Sequence, residues 1–341
     1  MVRSKKKPSG NISIEDIARL AGVSISTVSR VINKSTSVKE KHRVKVLEAI
    51  KQFHYQPSVF AQRLATGKSN VMALVIPRYE GMFYSFYALE LIRGIGTLCE
   101  ALKLDLLLHL TDSRVPLEIR GVGGIIFADI IGNRQQIEDA ISRNIACIVI
   151  NNYVEDLDVS CFAVDNIGGA ESAVNYLIEL DHRKIAHVTG DLVTQSAAWR
   201  LEGYKRALKK NNIAFNPDYV FKTDYSRGQA RQMAEKLLKM PDSPSAVFVS
   251  SDSMALEVVA VARELGKDIP GDLSIVGFDD NPSGLYGPVA LTTVSQPLIQ
   301  MAEESVKELN LMIASPKKKE TRKVLLPTKL VIRDSCQKKS S

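Results

Sequence analysis

Side chains able to do chemistry are unevenly spread along the 341-residue chain. Residues 1–70 carry 14 lysines and arginines against 4 aspartates and glutamates, while residues 71–341 carry 31 against 34. A basic module joined to a near-neutral body suits contact with a polyanion through the first fifth and a different task in the rest, and nucleic acid is the first polyanion to consider. Catalytic motifs are missing. No G-x-S-x-G elbow, phosphate-binding P-loop or H-E-x-x-H occurs, and Gly94-Ile-Gly96 and Gly121-Val-Gly-Gly124 lack the rest of a dinucleotide fingerprint. His42, His54, His109, His182 and His187 have no metal-ligand spacing. Cys99, Cys147, Cys161 and Cys336 form no C-x-x-C pair, and Cys147 and Cys161, in or beside apolar runs, read as buried thiols. We therefore expect no catalytic residue, metal, disulfide or cofactor.

The elements that must position the remaining candidates follow from composition and periodicity. With 45% hydrophobic and 24% charged residues and a mean hydropathy of −0.04, the chain can build more than one core. Its length suits two or three domains at roughly 100 to 200 residues each. The longest apolar runs, near residues 104–110 and 122–131, stop short of the ~18 residues that span a bilayer. The basic start has no apolar segment behind it, so it does not read as a secretory signal. No membrane partner and a cytoplasmic location are expected.

Residues 11–21 read as a short helix, with Ser13 as cap, Asp16 three residues on, and Ile14, Ile17, Ala18 and Ala21 on one face. Gly22-Val23-Ser24 reads as a tight turn in which Gly22 takes positive φ and Ser24 caps a second helix over residues 25–32. Two short helices so joined form a helix-turn-helix, whose second helix presents its first residues to a major groove. A third helix, residues 40–54, carries Val44, Leu47 and Ile50 at helical spacing to close the core. Its other face carries Lys41, Arg43, Lys45 and Lys51.

The run Ile14-Glu-Asp-Ile-Ala-Arg-Leu-Ala-Gly-Val-Ser-Ile-Ser-Thr-Val-Ser-Arg-Val-Ile-Asn33, with Tyr55-Gln-Pro-Ser58 and Ala61-Gln-Arg-Leu-Ala-Thr-Gly67, closely resembles the head and hinge of the lactose-repressor (LacI/GalR) family. The resemblance implies that Ile25 and Ser26 occupy operator-reading positions and Arg30 a base or phosphate contact. It places Ser24, Thr27, Ser29, Asn33 and Ser37 among the DNA-binding positions, where hydroxyl and amide groups set register on phosphates. Ser58, Ala61, Leu64 and Ala65 fall in a hinge helix that inserts Leu64 into the minor groove, favouring a deformable central pyrimidine-purine step. Two residues depart from the pattern: Ser58 replaces the usual asparagine, and Lys39 stands where a small capping residue is typical. An arginine can read guanine bidentately, whereas Ile25 offers only apolar contact with a thymine methyl, so the outer operator bases should differ from those of relatives with polar pairs there.

Beyond residue 70, β-rich runs alternate with helical periodicity over 71–77, 104–110, 124–128, 145–151, 185–189, 246–250 and 274–278, a doubly wound α/β pattern. The resemblance implies the rest of the expected fold: a small all-α helix-turn-helix head plus an α/β periplasmic-binding-protein-like body of two doubly wound subdomains. The expected divisions are 1–57 for the head with its basic tail 1–10, and 58–68 for hinge and linker. By the same resemblance, residues 69–163 with 294–326 would form one subdomain, and 164–293 with 327–341 the other. Residues 111–121 look too short for a full crossover helix between parallel strands, so one layer should be thinned.

By resemblance, an effector lies between the subdomains. Arg200, in Ala198-Trp-Arg-Leu-Glu-Gly-Tyr, matches the clamping arginine, and Asp279, in Val276-Gly-Phe-Asp-Asp, the carboxylate that accepts from ligand hydroxyls or an amine. A five-donor fork opposite an acceptor-only carboxylate suits a polyol. The alternative is an interior Arg200–Asp279 ion pair that closes the cleft. Tyr225 stands where an aromatic often stacks on ligand, with Trp199 beside the clamp. Ser251 replaces a usual asparagine and Asn151 a frequent aspartate, so the bonding pattern toward a sugar or sugar-like effector is altered. Phe86, with Met82, Phe83 and Tyr84, makes the loop lining the cleft unusually aromatic, and core packing is its equal alternative. Asp181 replaces the glycine of a family turn before His182, and a structural cap is expected there.

These readings converge on a ligand-responsive, sequence-specific DNA-binding transcriptional regulator, a repressor of carbohydrate-type genes that reads a palindromic operator on double-stranded DNA as a homodimer. The C-terminal residues hold no leucine heptad, which favours a dimer over a tetramer. The rivals are a cytosolic sugar sensor without DNA output, an enzyme on the same architecture, and a regulator driven by a partner protein in place of a small ligand.

Overall fold

The computed structural model describes residues 12–32, 35–55, 69–78, 82–112, 116–119, 121–129, 131–315 and 320–339. Asn33 and the hinge positions Ser58, Ala61, Leu64 and Ala65 lie outside the described residues. The chain divides into two units, Met1–Ser69 and Asn70–Ser341.

Among its described residues the first unit has three helices, α1 (Ile14–Ala21), α2 (Ile25–Ile32) and α3 (Glu40–Phe53). Ser13 and Asp16 form the capping box that opens α1, each side chain accepting from the other's backbone N–H, at 3.2 and 3.1 Å. Gly22 ends it at φ 65°, left-handed backbone that a side chain would strain. Ser24 Oγ accepts from Thr27 N at 3.3 Å at the start of α2. Ile17, Ala18, Ala21, Val28, Val31, Val46 and Ala49 are buried together as the core. The buried face of α3 is not the expected one. Val44 and Leu47 are 44% and 50% exposed, because the stripe through Val46, Ala49 and Phe53, with Ile50 beside it, faces α1 and α2. Lys39 gives α3 no side-chain cap.

The second unit is built on two six-stranded sheets. Among the described residues ten strands and seven helices follow the head, alternating except where two strands follow one another: β1 (Val71–Pro77), α4 (Phe86–Ala101), β2 (Asp105–Thr111), β3 (Gly124–Ala128), α5 (Arg134–Ser142), β4 (Ala146–Ile150), β5 (Ser160–Val164), α6 (Asn166–Glu179), β6 (Ile185–Val188), α7 (Gln195–Lys210), β7 (Val220–Phe221), α8 (Arg227–Leu238), β8 (Ala246–Val249), α9 (Asp252–Glu264), β9 (Ser274–Asp279), β10 (Thr292–Ser295) and α10 (Leu298–Ala314). Then come β11 (Lys323–Leu326) and β12 (Lys329–Val331). One sheet runs β11-β5-β4-β3-β1-β2 and the other β12-β10-β9-β8-β6-β7. Pairing is parallel throughout except β10 with β12. The chain thus passes between sheets three times, after β5, after β10 and after β11. The β1 core, Met72 through Ile76, is fully apolar because helices cover both faces of a central parallel strand.

From Thr111 to Gly124 no helix occurs among the described residues. Leu117, Ile119 and Val122 instead pack on the sheet face beside α5. The layer is therefore thin at its edge, where β2 leaves Leu107 and Leu108 partly open to solvent.

Helices α6 and α7 lie close because Gly203 offers no side chain. A Cβ there would stand 2.8 Å from Ala170 Cβ and collide with the Ile167 carbonyl. Gly203→Ala should cost about 1 to 3 kcal/mol by overpacking, measured by denaturant unfolding of the full chain, and an unchanged midpoint would contradict this packing.

Candidate functional site

The first turn of α2 presents a compact polar surface. Ile25 is 47% exposed, Ser24, Ser26 and Arg30 are exposed, and Thr27 and Ser29 are half-buried. Ser24 Oγ lies 2.9 Å from both Ser26 Oγ and Thr27 Oγ1, a hydroxyl cluster at the helix start. Exposed Ser37 shares a 2.9 Å hydroxyl contact with Ser35, whose carbonyl accepts from Arg43 at 2.6 Å. Hydroxyls, backbone N–H groups and an arginine on one short helix can hold phosphates, and Ile25 can meet an apolar base edge.

The body gathers its candidates at the carboxyl ends of strands. Asp129, Asn151, Tyr225 and Asp279 hold φ of 87°, 68°, 68° and 123°, left-handed backbone that non-glycine residues adopt at a cost of about 1 to 3 kcal/mol. Asp129, Asn151 and Asp279 close β3, β4 and β9, and Tyr225 lies just past β7. In open α/β sheets such strand ends are where ligands bind.

Arg200 enters this region from α7 and is only 4% exposed. Its Nε donates to Asn166 Oδ1 at 2.8 Å, its Nη1 donates to the Ser250 carbonyl at 2.5 Å, and its guanidinium carbon sits 3.8 Å from the Phe278 ring centre. Asn166 is itself held by donation from Nδ2 to the Val164 carbonyl at 3.1 Å. Asp279 accepts from Gln296 Nε2 at 2.6 Å through Oδ1. The partners of Arg200 and Asp279 are therefore neutral groups, and no ion pair joins the two, so the closing-pair alternative is not what the fold builds. Burial pushes the Asp279 carboxyl up from 3.8 to about 6, against the opposing pull of the Arg200 charge. Asp252, at the start of α9, is driven well above its ordinary range by burial and by the nearby Asp279 charge. Its oxygens accept from Thr293 Oγ1 and Asn281 N, both at 2.7 Å.

The other predicted positions take varied places. Ser251 caps α9, its Oγ accepting from Met254 N at 3.3 Å. Asn151 is buried, and its N–H donates to the Phe162 carbonyl at 2.8 Å. The Tyr225 ring covers Gly190 so closely that any Cβ there would collide with it. Tyr225 OH, Ser250 Oγ and Gln296 Oε1 are buried without a partner, an unusual cost unless a further group satisfies them. Phe86 opens α4 and packs on the core of its sheet, so the aromatic surface falls to Phe83 and to Tyr84, which is 91% exposed. Asp181 adopts φ 66° after α6, and His182 beside it bonds Ser245 Oγ and Ser274 Oγ. Cys99, Cys147 and Cys161 are buried and Cys336 is half-buried, all as free thiols. No group of metal-holding side chains occurs among the described residues, and no described helix is long and apolar enough to cross a membrane. Asn166, Asp252 and Gln296 were not singled out from the sequence. A polar residue within three positions of a strand end, as each of them is, was the available signal.

Because the raised Asp279 pKa favours the protonated form in the folded chain, stability from this group is greatest below about pH 3.8 and falls as pH rises to about 6. Thermal unfolding of the unsubstituted chain minus that of Asp279→Asn should show this fall between those limits, and a flat difference would contradict the assignment.

Residues 13–58 match the model of bacterial regulatory proteins of the lacI family, and residues 174–336 match a periplasmic binding protein-like domain. The chain is 32% identical over 308 residues to catabolite control protein A of Priestia megaterium, covering 88% of this chain and 92% of that protein. It is 35% identical over 343 residues to the HTH-type transcriptional regulator MalR of Clostridium butyricum, covering 95% and 99%. Among solved structures it resembles a complex of the transcriptional regulator CelR with cellobiose, with a TM-score of 0.71 and 27% identity over 95% of this chain and 99% of that one. The fold also matches a lac repressor dimer bound to operator and an anti-inducer, with a TM-score of 0.83 and 24% identity over 96% and 100%.

Proposed function

The chain belongs to the lacI family of bacterial regulatory proteins and is a DNA-binding transcriptional regulator, and from that premise we propose that it is a homodimeric repressor of carbohydrate-type genes whose operator affinity is set by a sugar-like effector. The observation that carries the effector reading is the separation of Arg200 from Asp279. A guanidinium and a carboxylate, each anchored by neutral groups and unpaired with one another, leave donor and acceptor capacity for a ligand whose hydroxyls both donate and accept. The unpartnered Ser250, Tyr225 and Gln296 oxygens add acceptors that such a ligand would satisfy. One similar solved structure is a complex of the regulator CelR with cellobiose, which supports a carbohydrate.

On the DNA side, α2 would enter the major groove with Ile25 and Ser26 on base edges, Arg30 one turn on, and Ser24, Thr27, Ser29, Asn33 and Ser37 on phosphates. Leu64 would wedge the minor groove at the dimer axis, with Ser58, Ala61 and Ala65 on the same hinge. Two heads related by a two-fold axis read a palindrome, and a ligand acts by binding two body states unequally. Cytoplasmic location follows from contact with the genome.

Selection of genomic fragments by the full-length protein tests this directly. We expect enrichment of a palindrome with a central pyrimidine-purine step beside sugar transport or glycosidase genes. No enrichment with or without candidate sugars would contradict the proposal. On the selected operator, log affinity should fall with log salt at about −0.9 per phosphate neutralised. Ile25→Ala should relax the preference at one base pair per half-site by about 1 kcal/mol and leave that slope unchanged, whereas a changed slope with unchanged preference would place Ile25 on phosphate.

A further inference from the structure

The two halves of the body are joined by three chain crossovers, and one further connection spans them. Gln195, the first residue of α7, accepts from Tyr153 N at 2.7 Å through Oε1 and donates from Nε2 to the Tyr153 carbonyl at 3.0 Å. Tyr153 follows β4 of one sheet, while α7 follows β6 of the other. A primary amide is the side chain that can match a backbone N–H and C=O at the same time, so both peptide groups of a residue in one half are bracketed by a single side chain of the other. One turn along α7, the Trp199 ring stands 6.3 Å from the Tyr153 ring at 44°, adding an aromatic contact to the bracket. The next residue is Arg200, so the helix that carries the bracket also carries the guanidinium of the cleft.

Neither half needs this connection for its own core. The core clusters of the two sheets are separate, and Gln195 belongs to none of them. Side-chain amides placed on the backbone of a different subdomain have their effect on the relation between the two, not on the folding of either. The crossovers tolerate rotation because each is a short irregular segment, whereas the bracket is lost once the halves swing apart by more than hydrogen-bond reach.

We propose that Gln195 is a latch: its bracket on Tyr153, backed by Trp199, sets the angle between the two halves of the body and so the range through which an effector engaging Arg200 can move them. The consequence for the effector rests on the function proposed above. The latch itself does not, because it is measured without DNA or ligand. Its parts are neutral, so it holds at any salt concentration that leaves the chain folded.

Amide hydrogen exchange on the full-length protein, followed by mass spectrometry, compares the unsubstituted chain with Gln195→Met, which keeps the length and removes both bonds, and with Trp199→Leu. The latch predicts that Gln195→Met speeds exchange by roughly tenfold at Tyr153 and also in the crossover peptides around Asp165 and Gln296, with peptides of β3 and β8 unchanged, as expected for loss of two neutral hydrogen bonds. Trp199→Leu should speed the same peptides by less. Faster exchange confined to Tyr153, or no change at all, would overturn the latch. Should Gln195→Met also deprotect β3 and β8, Trp199→Leu alone decides on the crossover peptides. Operator binding by the unsubstituted chain is measured beside it. If operator binding fails, the DNA reading falls and the exchange result stands.

Discussion

A guanidinium kept buried without a carboxylate against it is the constraint around which the body is arranged. Taking a charge out of water costs several kcal/mol unless hydrogen bonds and nearby charge replace its hydration. Arg200 recovers that cost from the Asn166 amide, the Ser250 carbonyl and the face of Phe278, and at longer range from Asp279. Each partner comes from a different element: Asn166 from the start of α6, Ser250 from the end of β8, Phe278 from β9. The positions of those elements are therefore coupled through one side chain. The close approach of α6 and α7 at Gly203 is what brings Asn166 within reach of Arg200. Sequence, packing and site chemistry meet at this point.

Asp279 is the counterpart. Its φ of 123°, its bond to Gln296 in the crossover segment, and the second acidic group at Asp252 nearby bring backbone strain and two crowded carboxyl groups together. Strain and crowded charge are expensive in a purely structural role, and they persist where a site needs groups held ready. Because Gln296 belongs to a segment passing between halves, a ligand that competes for the Asp279 carboxylate acts on the junction itself. That gives a physical route from ligand contact to a change in the body's angle.

Much of this was legible in the amino-acid order, and the exceptions have physical causes. The Ser13–Asp16 box and Gly22 are local devices, so the head's first two helices could be placed from sequence. The buried face of α3 could not, since Val44-Leu47 and Val46-Ala49-Phe53 are both at helical spacing and only tertiary contact decides which stripe turns inward. The buried parallel strands announce themselves as apolar runs, while β7, two residues long, and the edge strands β11 and β12, with lysines in them, do not. Arg200 and Asp279 carried the family pattern, but their partners Asn166 and Gln296 lie 34 and 17 residues away, and their places beside strand ends do not say which group each will hold. Ser251 shows the reverse: a residue singled out for ligand contact also serves as a helix cap, a role its place before α9 already suited.

The central claim is that the cleft between the body halves governs what the head does on DNA. The most direct measurement is operator affinity of the full-length protein, by fluorescence anisotropy across a panel of sugars, for the unsubstituted chain and for Arg200→Lys. The account predicts that at least one sugar changes the affinity of the unsubstituted chain tenfold or more. Arg200→Lys should lose that response, read as the ratio of its own affinities with and without sugar, because a point charge cannot reproduce the planar fork on Asn166 and Ser250. An operator affinity that no sugar changes, or a response that survives Arg200→Lys undiminished, would contradict it.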